Sequence, residues 1–232
     1  MARQPRLSLP GVMHLLQQRG HNGGAIVLDA QDSEHLLQAL REAARLHGVA
    51  LHAYVLTAAE LRLLATPETA EGISRMMQAL GRRHAAAFNR RHGRSGALWD
   101  GRFRSALIES GPAALLALRQ LESAVAAAGT ADTGTGGDGL ERSSLPHRLG
   151  IRRDAALVDP PAYWQLGNTP FERESQYRRL LAEALTPAEQ AALRSALKRG
   201  WALGSAGFLQ QLAAASRRPL QPRPRGRPRS RG

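Results

Sequence analysis

Seven arginines gather in one short part of this 232-residue chain: Arg82, Arg83, Arg90, Arg91, Arg94, Arg102 and Arg104. A guanidinium presents a planar fork of donors that fits phosphate oxygens and guanine edges, and it stacks on bases. Trp99 and Phe103 are interleaved among these arginines, and an aromatic face can hold an unpaired base. Phe103 also reads as core, and Trp99 fits either role. Residues 72–104 carry eight arginines against Asp100, a local charge of +7, and residues 217–232 carry seven arginines without an acid. The whole chain has a net charge of +13, so the remainder is close to neutral. Two basic segments on a neutral body point to a polyanionic partner, most often nucleic acid.

The elements that must position these groups alternate. Residues 11–19 read as a first strand and residues 25–28 as further extended chain. Asp32 or Ser33 can cap a helix whose apolar positions are Leu36, Leu37, Leu40, Ala44 and Leu46, and Gly48 stops it. Residues 49–56 form a second strand, with Val49, Leu51, Ala53 and Val55 expected on one face, and residues 60–65 a third. A second helix is expected over 67–91, where Ile73, Met76, Met77, Leu80, His84 and Phe88 make one apolar stripe. Residues 91–96 are a basic glycine loop, 103–109 a fourth strand and 113–127 a third helix. This order predicts an α+β fold, a ferredoxin-like antiparallel sheet with helices packed on one face.

The expected organisation is a sheet domain over 1–127, a flexible linker over 128–142, a small helical C-terminal region over 143–216 and a disordered Arg/Pro-rich tail over 217–232. Helices are expected at 171–185, 187–199 and 205–215. The linker is Gly/Thr/Asp-rich, and the tail is too rich in Pro, Gly and Arg to build a core. The chain has no cysteine, which removes disulfides and thiolate metal sites. No apolar run approaches the roughly 20 residues that span a bilayer, and residues 1–10 lack a signal-peptide core. These features imply a cytoplasmic, nucleoid-associated protein without a membrane partner.

Several separated segments, in order, resemble REP-associated tyrosine transposases. They are Pro10-Gly11, Arg19-Gly20 and Asn22 with Ala25-Ile26; Leu51-His52-Ala53-Tyr54; Phe88-Asn89-Arg90-Arg91-His92-Gly93-Arg94; Leu98-Trp99-Asp100-Gly101-Arg102-Phe103; Ser143-Ser144 with Leu149-Gly150; and Gly200-Trp201-Ala202-Leu203-Gly204-Ser205 with Phe208. The resemblance implies a ferredoxin-like fold, recognition of hairpin or single-stranded DNA, and DNA transposition. It also implies two histidines one residue apart on a strand, a divalent metal and a tyrosine nucleophile. Residues i and i+2 of a strand point the same way, about 6.5–7 Å apart, so two imidazoles can share one cation. That cation polarises the phosphate which the tyrosine attacks.

Here Glu60 and Arg62 occupy the histidine positions. A permanently charged guanidinium cannot bind a cation and repels it. The tyrosine positions of the family's helix align with His84 and Ala87, and Tyr54, Tyr163 and Tyr177 all lie elsewhere. With ligands and nucleophile replaced, a DNA-binding protein without nuclease activity is expected, needing no cofactor. A rewired active transposase would require Mg²⁺ held by Glu60 together with His52 or His92. Residues 224–229 resemble an AT-hook core, which implies Arg225, Arg227 and Arg229 reaching into a narrow A·T minor groove. That tail also admits a third reading, an architectural DNA- or RNA-binding protein. The oligomeric state is left between monomer and homodimer.

Overall fold

The structure, a computed structural model, describes residues 7–130 and 142–215. Strand β1 (Met13–Arg19) leads through a short turn to helix α1 (Ala30–Leu46). Then come β2 (Val49–Leu56), β3 (Glu60–Pro67), helix α2 (Gly72–Arg91) and β4 (Arg104–Ile108). Their order across the sheet is β2-β3-β1-β4, with β3 antiparallel to both β1 and β2 and β4 antiparallel to β1. This is the expected ferredoxin-like arrangement. Helix α3 (Pro112–Thr130) follows, and after residue 142 come α4 (Leu145–Arg148), α5 (Pro161–Trp164), α6 (Pro170–Ala182), α7 (Pro187–Arg199), β5 (Ala202–Leu203) and α8 (Ala206–Ala215). The two-residue β5 extends the sheet beside β4 in parallel. No described helix is long and apolar enough to cross a membrane.

Alternation along the strands makes two cores. Leu16, Leu61, Leu63 and Ala65 face α1 and α2, meeting Leu36, Leu40, Ile73, Met76, Leu80 and Phe88. Met13, Leu15, Leu64, Ala106 and Ile108 face the other way, against Ala114, Leu118 and Leu121 of α3 and Tyr163, Tyr177, Leu193 and Leu197 beyond it. Helices α1 and α2 thus lie on one face as expected, and α3 with the C-terminal helices covers the opposite one.

Three local expectations are corrected. The cap of α1 is Asp29, whose side chain accepts from Asp32 N at 2.9 Å, while Asp32 Oδ2 accepts from Leu28 N at 2.9 Å. This reciprocal pair starts the helix at Ala30, with its cap three residues before Asp32. Helix α2 starts at Gly72 because residues 66–67 still belong to β3, and Glu68 N donates to Gly48 O at 2.8 Å. In β2 the register slips between Leu51 and Ala53, so His52 is an extra, bulged residue. Val49 and Leu51 face α1 and α2, whereas Ala53 and Val55 face α3, and the single face expected for all four is lost.

Helix α3 continues through Thr130, and Arg142 O accepts from Leu56 N at 2.9 Å, docking the returning chain on β2. Residues 131–141 and the tail 217–232 lie outside the described residues.

A buried ionic group fixes this second face. Arg148 and Glu122 are both fully buried. Arg148 donates to Asp159 and to the backbone oxygen of bulged His52, and its Nε lies 3.7 Å from Glu122 Oε2. Glu122 accepts from Tyr177 Oη at 2.5 Å and from Ser144 Oγ. Tyr163 Oη donates to Arg148 O at 2.9 Å. Breaking such a group strands a buried charge, at a cost of about 3–5 kcal/mol. Arg148→Ala is therefore expected to lower the unfolding free energy measured by urea titration by that scale, whereas exposed Arg153→Ala should shift it by about 0.5 kcal/mol or less.

Candidate nucleic-acid interface

Glu60 and Arg62 project with Leu64 toward the α3 side, because Leu61 and Leu63 between them face α2. Across the ladder, Arg19 pairs with Glu60, Gln17 with Arg62 and Arg104 with Gln17. The side chains form a closed cluster. Arg62 Nη2 lies 2.5 Å from Glu60 Oε1, Gln17 Nε2 donates to Glu60 Oε2 at 2.8 Å, and Arg19 Nε lies 3.7 Å from the same oxygen. Both carboxylate oxygens are engaged, and the face carries Arg19, Arg62 and Arg104 against one acid.

The divalent cation implied by the sequence resemblance does not fit this donor set, since it would displace Arg62 from Glu60 and sit between two guanidiniums. His52 and His92 do not complete it. The His52 ring contacts Val158 O at 2.7 Å and Thr66 Oγ1 at 2.8 Å, and His92 Nε2 contacts Asp32 Oδ2 at 2.9 Å. Among the described residues no three His, Cys, Asp or Glu side chains gather as a metal cluster.

His84 and Ala87, which align with the tyrosine positions of the resembling family, do not share this site. They belong to α2, on the other face. His84 is buried there, with Nε2 2.7 Å from Ile26 O and its ring 5.9 Å from Trp99. Burial holds its pKa below the ordinary histidine value. The tyrosines are committed as well. Tyr54 Oη donates to Asp154 Oδ2 at 2.9 Å, and burial pushes the Tyr54 and Tyr163 hydroxyls up to about 12. Tyr177 is bound to Glu122, and burial pushes its hydroxyl upward as well.

The expected DNA-contacting arginines separate in space. Arg83 is ion-paired to Glu42, and Arg91 clamps Asp29 and Asp32 at the start of α1, with Nη2 2.6 Å from Asp29 Oδ2. Both tie α2 to α1. Arg94 lies 5.5 Å over the Phe88 ring, and Arg90 is exposed. Arg82 and Arg102 instead line a cavity of about 490 Å³ beside α2, together with half-buried Trp99 and buried Phe103, as well as Arg75 and Gln18. Arg104 stands on the opposite face with Glu60 and Arg62. Arg225, Arg227 and Arg229 lie outside the described residues. Sequence reasoning missed Arg19, Gln17 and Gln18, whose alternation along β1 sends Arg19 and Gln17 to one face and Gln18 to the other.

The fold has a solved counterpart. A REP-associated tyrosine transposase bound to a REP hairpin matches with a TM-score of 0.53 at 13% identity, covering 70% of this chain and 93% of that one. A protein from Deinococcus radiodurans assigned as a transposase matches with a TM-score of 0.37 at 19% identity, covering 52% of this chain and 92% of that one. No protein-family model and no curated protein matches the chain. At this identity the first match establishes a shared fold.

Three buried histidines give the chain a pH signature. Burial depresses His14 from 6.5 to about 4 and also lowers His52 and His84. These groups are neutral in the folded chain, while the unfolded chain binds their protons from about pH 6.5 downward. Their contribution to stability is thus complete above about pH 6.5 and is lost as pH falls toward 4. Urea midpoints are expected to drop across this window, and His14→Leu should flatten the slope. An unchanged slope in that variant would contradict a buried neutral His14.

Proposed function

We propose that this chain binds hairpin or single-stranded DNA and does not cut it. The reading rests on the Glu60–Arg62 pair. Where the resembling transposases are expected to hold a catalytic cation, this chain holds a guanidinium. Arg62, with Arg19 and Arg104 beside it, offers a fixed positive face that a phosphate can approach. Binding of the phosphate would survive on that face, and the attack on a cation-polarised phosphate that cleavage requires would not. The fold supports the choice of ligand, because the solved protein that shares it is bound to a REP hairpin. Arg225, Arg227 and Arg229 would add attraction of their own, in the minor groove of A·T-rich duplex.

Fluorescence anisotropy of a labelled DNA hairpin tests the binding half. Affinity should fall steeply between about 50 and 200 mM salt, with a slope of about −0.9 per neutralised phosphate. Arg104→Ala, which removes an exposed cation and breaks no ion pair among the described residues, should weaken binding and reduce that slope by about 1. Deleting residues 217–232 should lower affinity for every DNA yet leave the preference for hairpin over duplex. Hairpin binding that disappears with the tail would overturn the role assigned to the folded face and favour an architectural protein.

A further inference from the structure

We propose that the cavity beside α2 is a second site, which takes a single unpaired nucleotide. The inference rests on the DNA-binding reading for its context, although the cavity lies on the opposite face of the sheet from Glu60 and Arg62. Its volume of about 490 Å³ falls within the range of small-molecule sites, roughly 300–1,000 Å³. Trp99 and Phe103 supply an aromatic wall. The indole is fixed in place, because Trp99 Nε1 donates to Gly81 O at 3.0 Å and the ring packs against His84. Gly81 lines the cavity beside the indole, where a Cβ would stand 3.4 Å from Trp99 Nε1.

The rim supplies the charge. Arg75, Arg82 and Arg102 line the cavity and have no ion-pair partner among the described residues. Their neighbours Arg83 and Arg91, outside the cavity, are both neutralised by acids. Cations left unpaired around an aromatic wall match a base with its phosphate, the base on the ring and the phosphate on the guanidiniums. Glu71, also on the rim, is placed to accept from an exocyclic amino group. The same chemistry serves a base turned out of a DNA strand or a free mononucleotide.

Trp164 and Trp201 do not line the cavity, so replacing both with Phe leaves Trp99 as the sole tryptophan, excited selectively over the tyrosines. Titration of that protein with a single-stranded DNA octamer and with dAMP reads stacking directly. Saturable quenching by the octamer is expected, and Arg82→Ala with Arg102→Ala should weaken it by about tenfold or more. Arg83→Ala should leave it unchanged. Quenching by dAMP at equal affinity would also uphold the site and identify a free nucleotide as its ligand. Octamer binding seen by anisotropy without any Trp99 quenching would overturn the cavity site while leaving DNA binding by the chain intact. An equal loss in Arg83→Ala would overturn it too, by showing diffuse attraction. Absence of binding by either measurement would remove both proposals.

Discussion

Side chains alternate across a sheet with a period of two, and this constraint divides the chemistry of the chain. Leu61 and Leu63 must meet α1 and α2, so Glu60 and Arg62 must point toward α3. The same rule sends Gln17 and Arg19 to Glu60, and Gln18 to the cavity under Trp99. Two positive surfaces result, back to back, with apolar core between them. One presents guanidiniums around a single carboxylate. The other presents guanidiniums around an aromatic wall. Neither could be moved to the other side without turning its strand over and exposing the core.

The α3 side exists as a covered face because the bulge at His52 and Arg148 act together. The bulge takes one backbone carbonyl out of the ladder, and buried Arg148 recovers it while pairing with Asp159 and Glu122. A guanidinium suits this task, since its several donors satisfy a carbonyl and carboxylates at once. Ser144, Tyr163 and Tyr177 complete the group. Two tyrosine hydroxyls are thereby consumed as structural donors. The shared fold thus coexists with an interior in which hydroxyl chemistry has been given over to packing.

The order of the strands and the first helices was legible in the sequence because their apolar periodicities are strong. The stripe on α2 from Ile73 to Phe88 and the strands around Leu16 and Leu63 are of this kind. The bulge was not legible. Val49 to Val55 alternates evenly by residue type, and only the partner strand's register reveals the extra residue. The separation of His84 and Ala87 from Glu60 was not legible either, because only the strand's own alternation decides which of its residues face the following helix. Among the arginines, charge density singled out one segment. It could not separate Arg83 and Arg91, neutralised by acids far away in sequence, from Arg82 and Arg102.

Glu60 and Arg62 form an ion pair at the positions where the sequence resemblance implies cation-binding histidines, and we propose that cleavage is lost with that cation. Incubating purified protein with end-labelled hairpin DNA, with and without Mg²⁺, and resolving the products under denaturing conditions tests it most directly. The account predicts intact DNA in both cases and no protein-linked label. A Mg²⁺-dependent nick, or a covalent protein–DNA adduct, would contradict it.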